Sequence, residues 1–148
     1  MDRGKHGTKH HLMTDGAGRV PVSFTVTGAN RHDVTQLLAL VDGVPPVRGR
    51  RGRPRKRFDR VQGDRGYDSQ PHRRELRRRH ATPVLARRNT PHGSGLGVYR
   101  WVIERAESWV HQNRHLKLRY DRRDDIHEAF VSLACAMICL NCLHDRFC

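Results

Sequence analysis

The sequence has few aromatic residues and few acidic ones. Aromatic residues make up 6% of the 148 residues and hydrophobic residues of all kinds 36%, so the chain can bury only a modest core. Asp and Glu number 15 against 29 Lys and Arg, which gives a formal net charge of +14 at pH 7. Such an excess of positive charge implies an anionic partner, and nucleic acid fits it best.

The sequence also lacks the apolar segments of exported and membrane proteins. No apolar stretch follows the first residues, so we expect no secretory signal peptide. The longest apolar run, 129–140, is interrupted only by Ser132 and is shorter than the about 20 residues that a membrane span needs. We therefore expect a buried core helix at this run, no membrane partner and a cytoplasmic protein.

Cysteines are few and closely spaced. Cys135, Cys139 and Cys142 recur at helical spacing on one face, and Cys148 ends the sequence. No CxxC pair or matching histidine pair accompanies them, which favours reduced core cysteines; a metal site is the alternative.

The N-terminal third predicts a β-hairpin followed by a helix. Strands are expected over 10–14 and 20–27, because apolar and polar residues alternate around the turn residues 15–18. A helix is expected over 34–41, with Asp33 and Gln36 as a capping box. A catalytic Asp33 is the alternative to the cap.

Residues 61–69 are the stretch around which the rest of the sequence is organised. A short strand at 60–62 leads to Asp64 and a glycine turn, and a helix is expected over 70–80, with Ser69 at its N-cap. In α/β folds this order presents a catalytic carboxylate at the C-terminal edge of a sheet. A simple turn role for Asp64 is the alternative.

The remaining elements complete an α/β pattern. We expect a strand over 82–86 and amphipathic and apolar helices over 98–110 and 126–143, the second buried nearly all round. Arg100 and Glu104 are four residues apart and share a helix face, where a surface ion pair is the simplest role. This order predicts one α/β domain, 1–148, with a mixed sheet.

A basic loop, 43–60, interrupts this pattern. Seven of the ten residues at 48–57 are Arg or Lys, interleaved with Gly and Pro. The segment resembles the AT-hook, which lies in the narrow minor groove of A·T-rich DNA; a linker that touches phosphates is the alternative. The expected nucleic-acid contacts here and nearby are Arg48, Arg50, Arg51, Arg53, Arg55, Lys56, Arg57, Arg65, Arg87 and Arg88.

Four blocks, 28–33, 64–69, 99–105 and 126–130, resemble, in the same order, blocks of bacterial insertion-sequence DDE transposases. The resemblance covers nearly the whole chain. It implies an RNase H-like fold, which is a five-stranded mixed sheet flanked by helices. It also implies DNA transposition, with element ends and target DNA as partners, at the bacterial nucleoid. A homo-oligomer is compatible with this role.

The resemblance assigns Asp64 as the second catalytic acid and Glu104 as the third, both as ligands of two Mg²⁺ ions, with Mn²⁺ as a substitute. Carboxylate oxygens suit these hard cations, and two such ions can activate a water or a DNA 3′-OH. Arg100 and Glu104 match the family's Arg-x-x-x-Glu signature, which makes Arg100 part of the implied site.

The chain departs from the family pattern at three places. Gly97 stands where a Tyr is expected, with Tyr99 out of register, and His111 stands where a Lys or Arg is expected. The first catalytic Asp is missing, and none of Asp2, Asp15 or Asp33 is assigned to that role. We therefore expect the C-terminal part of a transposase that lacks the central first strand.

The missing strand has consequences for stability and activity. Without it, the hairpin and the 60–62 strand lose their common partner and gain exposed edges, so we expect a poorly stable chain with no activity on its own. Two functions remain open: a DDE transposase that cleaves and joins DNA, or a non-catalytic DNA-binding protein that uses the loop at 48–57.

Overall fold

The computed structural model describes residues 7–49, 51–86 and 97–147, with the backbone alone for 97–103 and 146–147. These residues form four strands, five helices and two short 3₁₀ turns. The expected mixed α/β class is confirmed. The elements follow the predicted order, with one short helix added.

The predicted hairpin is present and slightly longer than expected. Strand β1 (Thr8–Thr14) pairs antiparallel with β2 (Pro21–Gly28), and the register shifts where Thr14 faces Pro21. Asp15 closes the turn, because its Oδ1 accepts the backbone N–H of Arg19 at 2.7 Å and that of Val20 at 3.1 Å. A proline at the irregular end fits, since it has no N–H to offer the ladder.

The two faces of the hairpin contact different hydrophobic clusters. Leu12, Phe24 and Val26 pack against a cluster made by the C-terminal helices. Met13 packs against the other cluster, which contains Val61 and Leu76. Because successive side chains of a strand point to opposite faces, the hairpin forms a layer between the two clusters.

The segment after the hairpin corrects one prediction. Asp33–Gln36 is a 3₁₀ turn that leads into helix α1 (Leu37–Gly43). Asp33 lies inside the turn and does not cap it; the N-cap position is His32, and no side chain caps there. Gln36 bonds the hydroxyl of Thr35 instead of closing a capping box. The Asp33 carboxylate is directed elsewhere, because Lys9 of β1 binds it.

The stretch around Asp64 forms a parallel β-α-β unit. Strand β3 (Arg60–Gly63) pairs in parallel with β4 (Thr82–Leu85), and helix α2 (Gln70–Arg78) connects them. Arg73 of α2 is buried and donates to the carboxylate of Asp68 at 2.7 Å and to the carbonyl of Leu85 at 2.8 Å. Ser69 occupies the predicted N-cap position, but its side chain makes no capping bond.

The two strand pairs do not join into one sheet within the described part of the chain. The sheet orders are β1-β2 and β3-β4, each with two strands. This differs from a single mixed sheet. It is compatible with a sheet whose first strand is absent but does not establish one, and each pair has open edges among the described residues.

Three helices form the C-terminal layer: α3 (Gly97–His111), α4 (Arg114–Lys117) and α5 (Asp124–Phe147). Val131, Ala134 and Ile138 of α5 are buried in the core. The expectation that α5 is buried nearly all round is wrong, because Leu133 is 57% and Leu140 65% exposed.

The length and composition of α5 also differ from the expectation for the apolar run. Residues Asp124–Asp145 reach a mean hydropathy of 1.7, and by length and composition alone they could cross a membrane. In this structure 28% of the stretch is buried inside the protein. A core helix of a globular protein meets the same criterion. Cys135 is buried on the inner face of α5, and burial raises the pKa of its thiol to about 11.

Candidate functional site

Asp64 lies directly after β3, at the C-terminal end of the parallel strand pair. It is the N-cap of the 3₁₀ turn Arg65–Tyr67, and its Oδ1 accepts the backbone N–H of Gly66 at 2.9 Å. The residue is therefore a turn residue and also an exposed carboxylate at a sheet edge. Among the described residues it has no ion-pair partner, so its second oxygen remains available to a ligand.

A second carboxylate lies beside Asp64. A Cβ built on Gly66 would lie 2.7 Å from Oδ2 of Asp33 and 3.2 Å from Oδ1 of Asp64. Oδ2 of Asp33 and Oδ1 of Asp64 therefore both lie next to Gly66, although the two residues belong to different elements. Lys9 Nζ binds Oδ1 of Asp33 at 2.9 Å and partly neutralises the pair. Only Gly fits at position 66 without displacing a carboxylate.

Tyr67 connects this turn to the hairpin. Its hydroxyl lies 3.0 Å from Nδ1 of His11, and Nε2 of His11 lies 2.9 Å from Oγ1 of Thr27. His11 is buried, and burial lowers the pKa of its imidazole. Burial, followed by the charges of Asp33, Asp64 and Glu107, raises the pKa of Tyr67, so this hydroxyl stays protonated and can donate.

Helix α3 brings two further acids towards the strand end. Glu104 is exposed, and Glu107 lies one turn further along the helix. The side chain of Glu107 is exposed, and partial desolvation, followed by the charges of Asp64 and Glu104, raises its pKa. The negative charges of Asp64 and Glu107 therefore disfavour each other. Sequence reasoning singled out Glu104 and missed Glu107. The signal that could have identified Glu107 is its position three residues after Glu104, which places both on neighbouring positions of the helix surface.

The donor chemistry of these residues fits a divalent ion better than their geometry does. Carboxylate oxygens from Asp64, Asp33, Glu104 and Glu107 are hard ligands of the kind that Mg²⁺ takes. Within 7–49, 51–86 and 97–147, however, no group of three or more His, Cys, Asp or Glu is placed to hold a metal ion. The described residues thus supply an incomplete ligand set.

The expected nucleic-acid contacts are only partly described. Arg50, Arg87 and Arg88 lie outside the described residues, as does the side chain of Arg100, whose backbone is helical in α3. Val47 and Arg55 form an antiparallel bridge that closes a small loop around Gly52. Exposed cations project from and beside this loop: Arg48, Arg51, Arg53, Arg55, Lys56 and Arg57. Arg65 follows Asp64 in the 3₁₀ turn and is partly buried.

Comparisons with known proteins give consistent results. The family described as Transposase DDE domain matches residues 1–139. A protein of Burkholderia cepacia, named as the transposase for insertion sequence element IS402, is 55% identical over 142 residues, which cover 96% of this chain and 67% of that protein. No solved structure matches the chain at a significant level.

Proposed function

Because the chain belongs to the DDE transposases of insertion sequences, we propose that it acts in DNA transposition by cleaving DNA strands and transferring them. The observation that supports this best is the position of Asp64. It is an exposed carboxylate at the end of a parallel strand, with Asp33 beside it and the acids of α3 within electrostatic reach. The proposal includes an RNase H-like fold over 1–148 and a place at bacterial DNA in the cytoplasm.

In the proposed reaction, the oxygen of a water or of a DNA 3′-OH attacks a backbone phosphorus. A new P–O bond forms, and the bond to the leaving 3′ oxygen breaks. Two divalent ions, Mg²⁺ or Mn²⁺, would activate the attacking oxygen and stabilise the leaving one. Asp64 and Glu104 would hold them. Arg100 and the loop arginines would bind the phosphates, whose charge they neutralise.

The ligand set needs a further carboxylate beyond Asp64 and Glu104. Asp33 is beside Asp64 among the described residues, but its Oδ1 binds Lys9. We propose that a segment outside the described residues supplies the first acid. On this basis the chain alone has little activity.

A plasmid-nicking assay with Mg²⁺ or EDTA tests the proposal. The variants are Asp64→Asn and, as a matched control, Asp59→Asn, whose carboxylate is on the surface beside the basic loop. Slow nicking that needs Mg²⁺, is lost in Asp64→Asn and survives in Asp59→Asn would support it, whereas no nicking by a chain that still binds DNA would favour a non-catalytic role for the chain alone. Nicking by wild type and Asp64→Asn at equal rates would contradict it, because Asp64 would then have no role.

A non-catalytic DNA-binding role is the second candidate. The exposed cations of the loop support it, as does the incomplete ligand set. This function predicts that the wild-type chain binds DNA with the same affinity in Mg²⁺ and in EDTA. It also predicts that Asp64→Asn binds DNA as tightly as the wild type. It also predicts that replacing the loop arginines abolishes binding and lowers the dependence of affinity on salt.

A further inference from the structure

Two cysteines of α5 lie one helical turn apart, close to the hairpin. Cys139 and Cys142 enclose two residues and so form a CxxC pair, which corrects the expectation that the chain has none. Both thiols are partly exposed, whereas Cys135, about one turn earlier, is buried. Neighbouring thiols with access to solvent are the usual sites of reversible oxidation.

Both thiols contact the backbone where the hairpin turn, 15–20, leads into β2. The Cys142 S–H donates to the carbonyl of Arg19 at 3.3 Å, and the Cys139 S–H donates to that of Pro21 at 3.8 Å. The pair therefore attaches the end of this turn to α5.

Helix α3 holds the same turn. Arg105 donates to the carbonyl of Ala17 at 2.8 Å and to that of Gly18 at 3.4 Å. Arg105 directly follows Glu104, one of the acids of the candidate site. The turn thus connects the thiol pair of α5 with the residue of α3 that is next to Glu104.

We propose that Cys139 and Cys142 form a redox-active dithiol, which a low-molecular-weight disulfide oxidises to an intrahelical disulfide that releases the hairpin turn from α5. The Cys142 thiolate attacks one sulfur of the small disulfide, its S–S bond breaks, and the other half leaves as a thiol. Cys139 then attacks the Cys142 sulfur of the mixed disulfide, and the second half leaves as a thiol. The two protons end on the two small thiols, and two electrons pass from the protein to the oxidant.

Helix geometry allows this disulfide and strains it. Residues three apart have Cα atoms about 5 Å apart, within the range of about 4.4–6.8 Å that a disulfide spans. Their Cβ atoms are about 5–6 Å apart, which is more than the about 3.5–4.5 Å of a disulfide. The last turns of α5 therefore have to tighten, and Leu140 and Leu143 leave room for this because both are exposed. A strained disulfide is reduced easily, so the modification is reversible.

Oxidation removes both S–H donors from the turn. A disulfide sulfur carries no hydrogen, so the carbonyls of Arg19 and Pro21 lose their partners on α5. Burial, followed by the charge of Cys142, raises the pKa of Cys139. Because the thiolate is the nucleophile, Cys142 reacts first and Cys139 resolves the mixed disulfide.

Oxidation by glutathione disulfide tests the proposal, in a Cys148→Ser background that removes the cysteine at the end of the chain. Mass spectrometry after alkylation should show the loss of both thiols of the pair and no bound glutathione. Adding Cys139→Ser should stop the reaction at glutathione bound to Cys142, because the resolving thiol is missing. Cys135→Ser is the matched control, since it keeps the pair and should still form the disulfide.

Amide hydrogen exchange of the wild-type chain measures the release of the turn. We expect the amides of Arg19 and Val20 to exchange about 2- to 10-fold faster after oxidation, the effect of losing one typical hydrogen bond, and to recover with dithiothreitol. The amides of β3 serve as the internal control and should not change. Bound glutathione in place of the internal disulfide would overturn the proposal. A disulfide that leaves exchange at the turn unchanged would also overturn it, because the thiols would then not hold the turn.

Discussion

The carboxylate of Asp33 determines which residue can occupy position 66. The backbone of Gly66 does not require glycine, because its φ is not positive; among the described glycines only Gly18 and Gly52 have positive φ. Its constraint is spatial: a Cβ would lie 2.7 Å from Oδ2 of Asp33 and 3.4 Å from its Cβ. A methyl group must therefore displace the Asp33 carboxylate, whose other oxygen binds Lys9.

The first prediction is that Gly66→Ala destabilises the fold by about 0.2–1 kcal/mol, the usual value of a partly exposed ion pair such as Lys9–Asp33, because the Asp33 carboxylate has to move. Denaturant unfolding measures this cost. Gly16→Ala is the control, because nothing lies within 4 Å of a Cβ at that position. The same Gly66→Ala change in an Asp33→Ala background should cost less, since the obstructing carboxylate is gone. Equal costs in both backgrounds would contradict the contact.

The second prediction concerns the hydroxyl of Tyr67. Tyr67→Phe removes the partner of His11 Nδ1, and His11 is 3% exposed. A buried polar group without a partner costs about 1–3 kcal/mol, so we expect a loss of that size in the free energy of unfolding. Tyr120→Phe is the matched control, because Tyr120 is 58% exposed. Similar losses in the two variants would show that the His11 bond contributes nothing.

At the scale of whole elements, α5 separates a core face from an apolar exposed face. The buried residues Val131, Ala134 and Ile138 recur at a spacing of three to four, and Leu133, Met137 and Leu140 recur likewise on the outside. Both faces are apolar, so the periodicity of the sequence could not indicate which one packs. The packing of the hairpin, α3 and α4 against one face of α5 distinguishes them.

The third prediction compares two residues of α5 that are two positions apart. Ile138 is 8% and Leu140 65% exposed. Truncating a buried Ile to Ala costs about 2–5 kcal/mol, whereas surface substitutions stay within about 0.5 kcal/mol. Chemical unfolding of Ile138→Ala and Leu140→Ala should show this difference. A large loss in Leu140→Ala would indicate that its face is covered in solution.

Local sequence patterns predicted the elements well and their contacts poorly. The hairpin, the β3 strand and the position of Asp64 follow from alternation and turn residues within about ten positions. The role of Asp33 does not, because it depends on Lys9, which is 24 residues away in sequence and adjacent only after β1 forms. The same holds for Glu107, whose pKa is raised by desolvation and then by the charges of Asp64 and Glu104.

At the scale of the whole molecule, side chains connect layers that backbone pairing does not. The two strand pairs share no ladder within the described residues. The bond between His11 and Tyr67 joins the hairpin to the β3 turn, and the contact between His10 and His127 joins the hairpin to α5. Both connections go through imidazoles, so the cohesion of the fold depends on pH.

The fourth prediction is that the free energy of unfolding falls as the pH is lowered from about 6.5 to 4. Burial, followed by the neighbouring imidazoles of His127, His111 and His11 and the charge of Arg119, lowers the pKa of His10 from 6.5 to about 4. The folded state thus favours neutral His10. Between these two values the unfolded chain takes up the proton that the folded chain does not, so stability is lost there. Above pH 6.5 this stability is fully present.

Urea unfolding at pH 7, 5.5 and 4.5 measures this dependence, with His10→Gln and His32→Gln as a matched pair. His32 is exposed, so its removal should leave the pH dependence unchanged. His10→Gln should flatten it, because the residue that resists protonation is gone. An NMR titration of the His10 ring reads the same pKa directly, without reference to the variant's stability. A ring that titrates near pH 6.5 in the folded chain would contradict the contact with His127, since neither burial nor a neighbouring imidazole would then act on it.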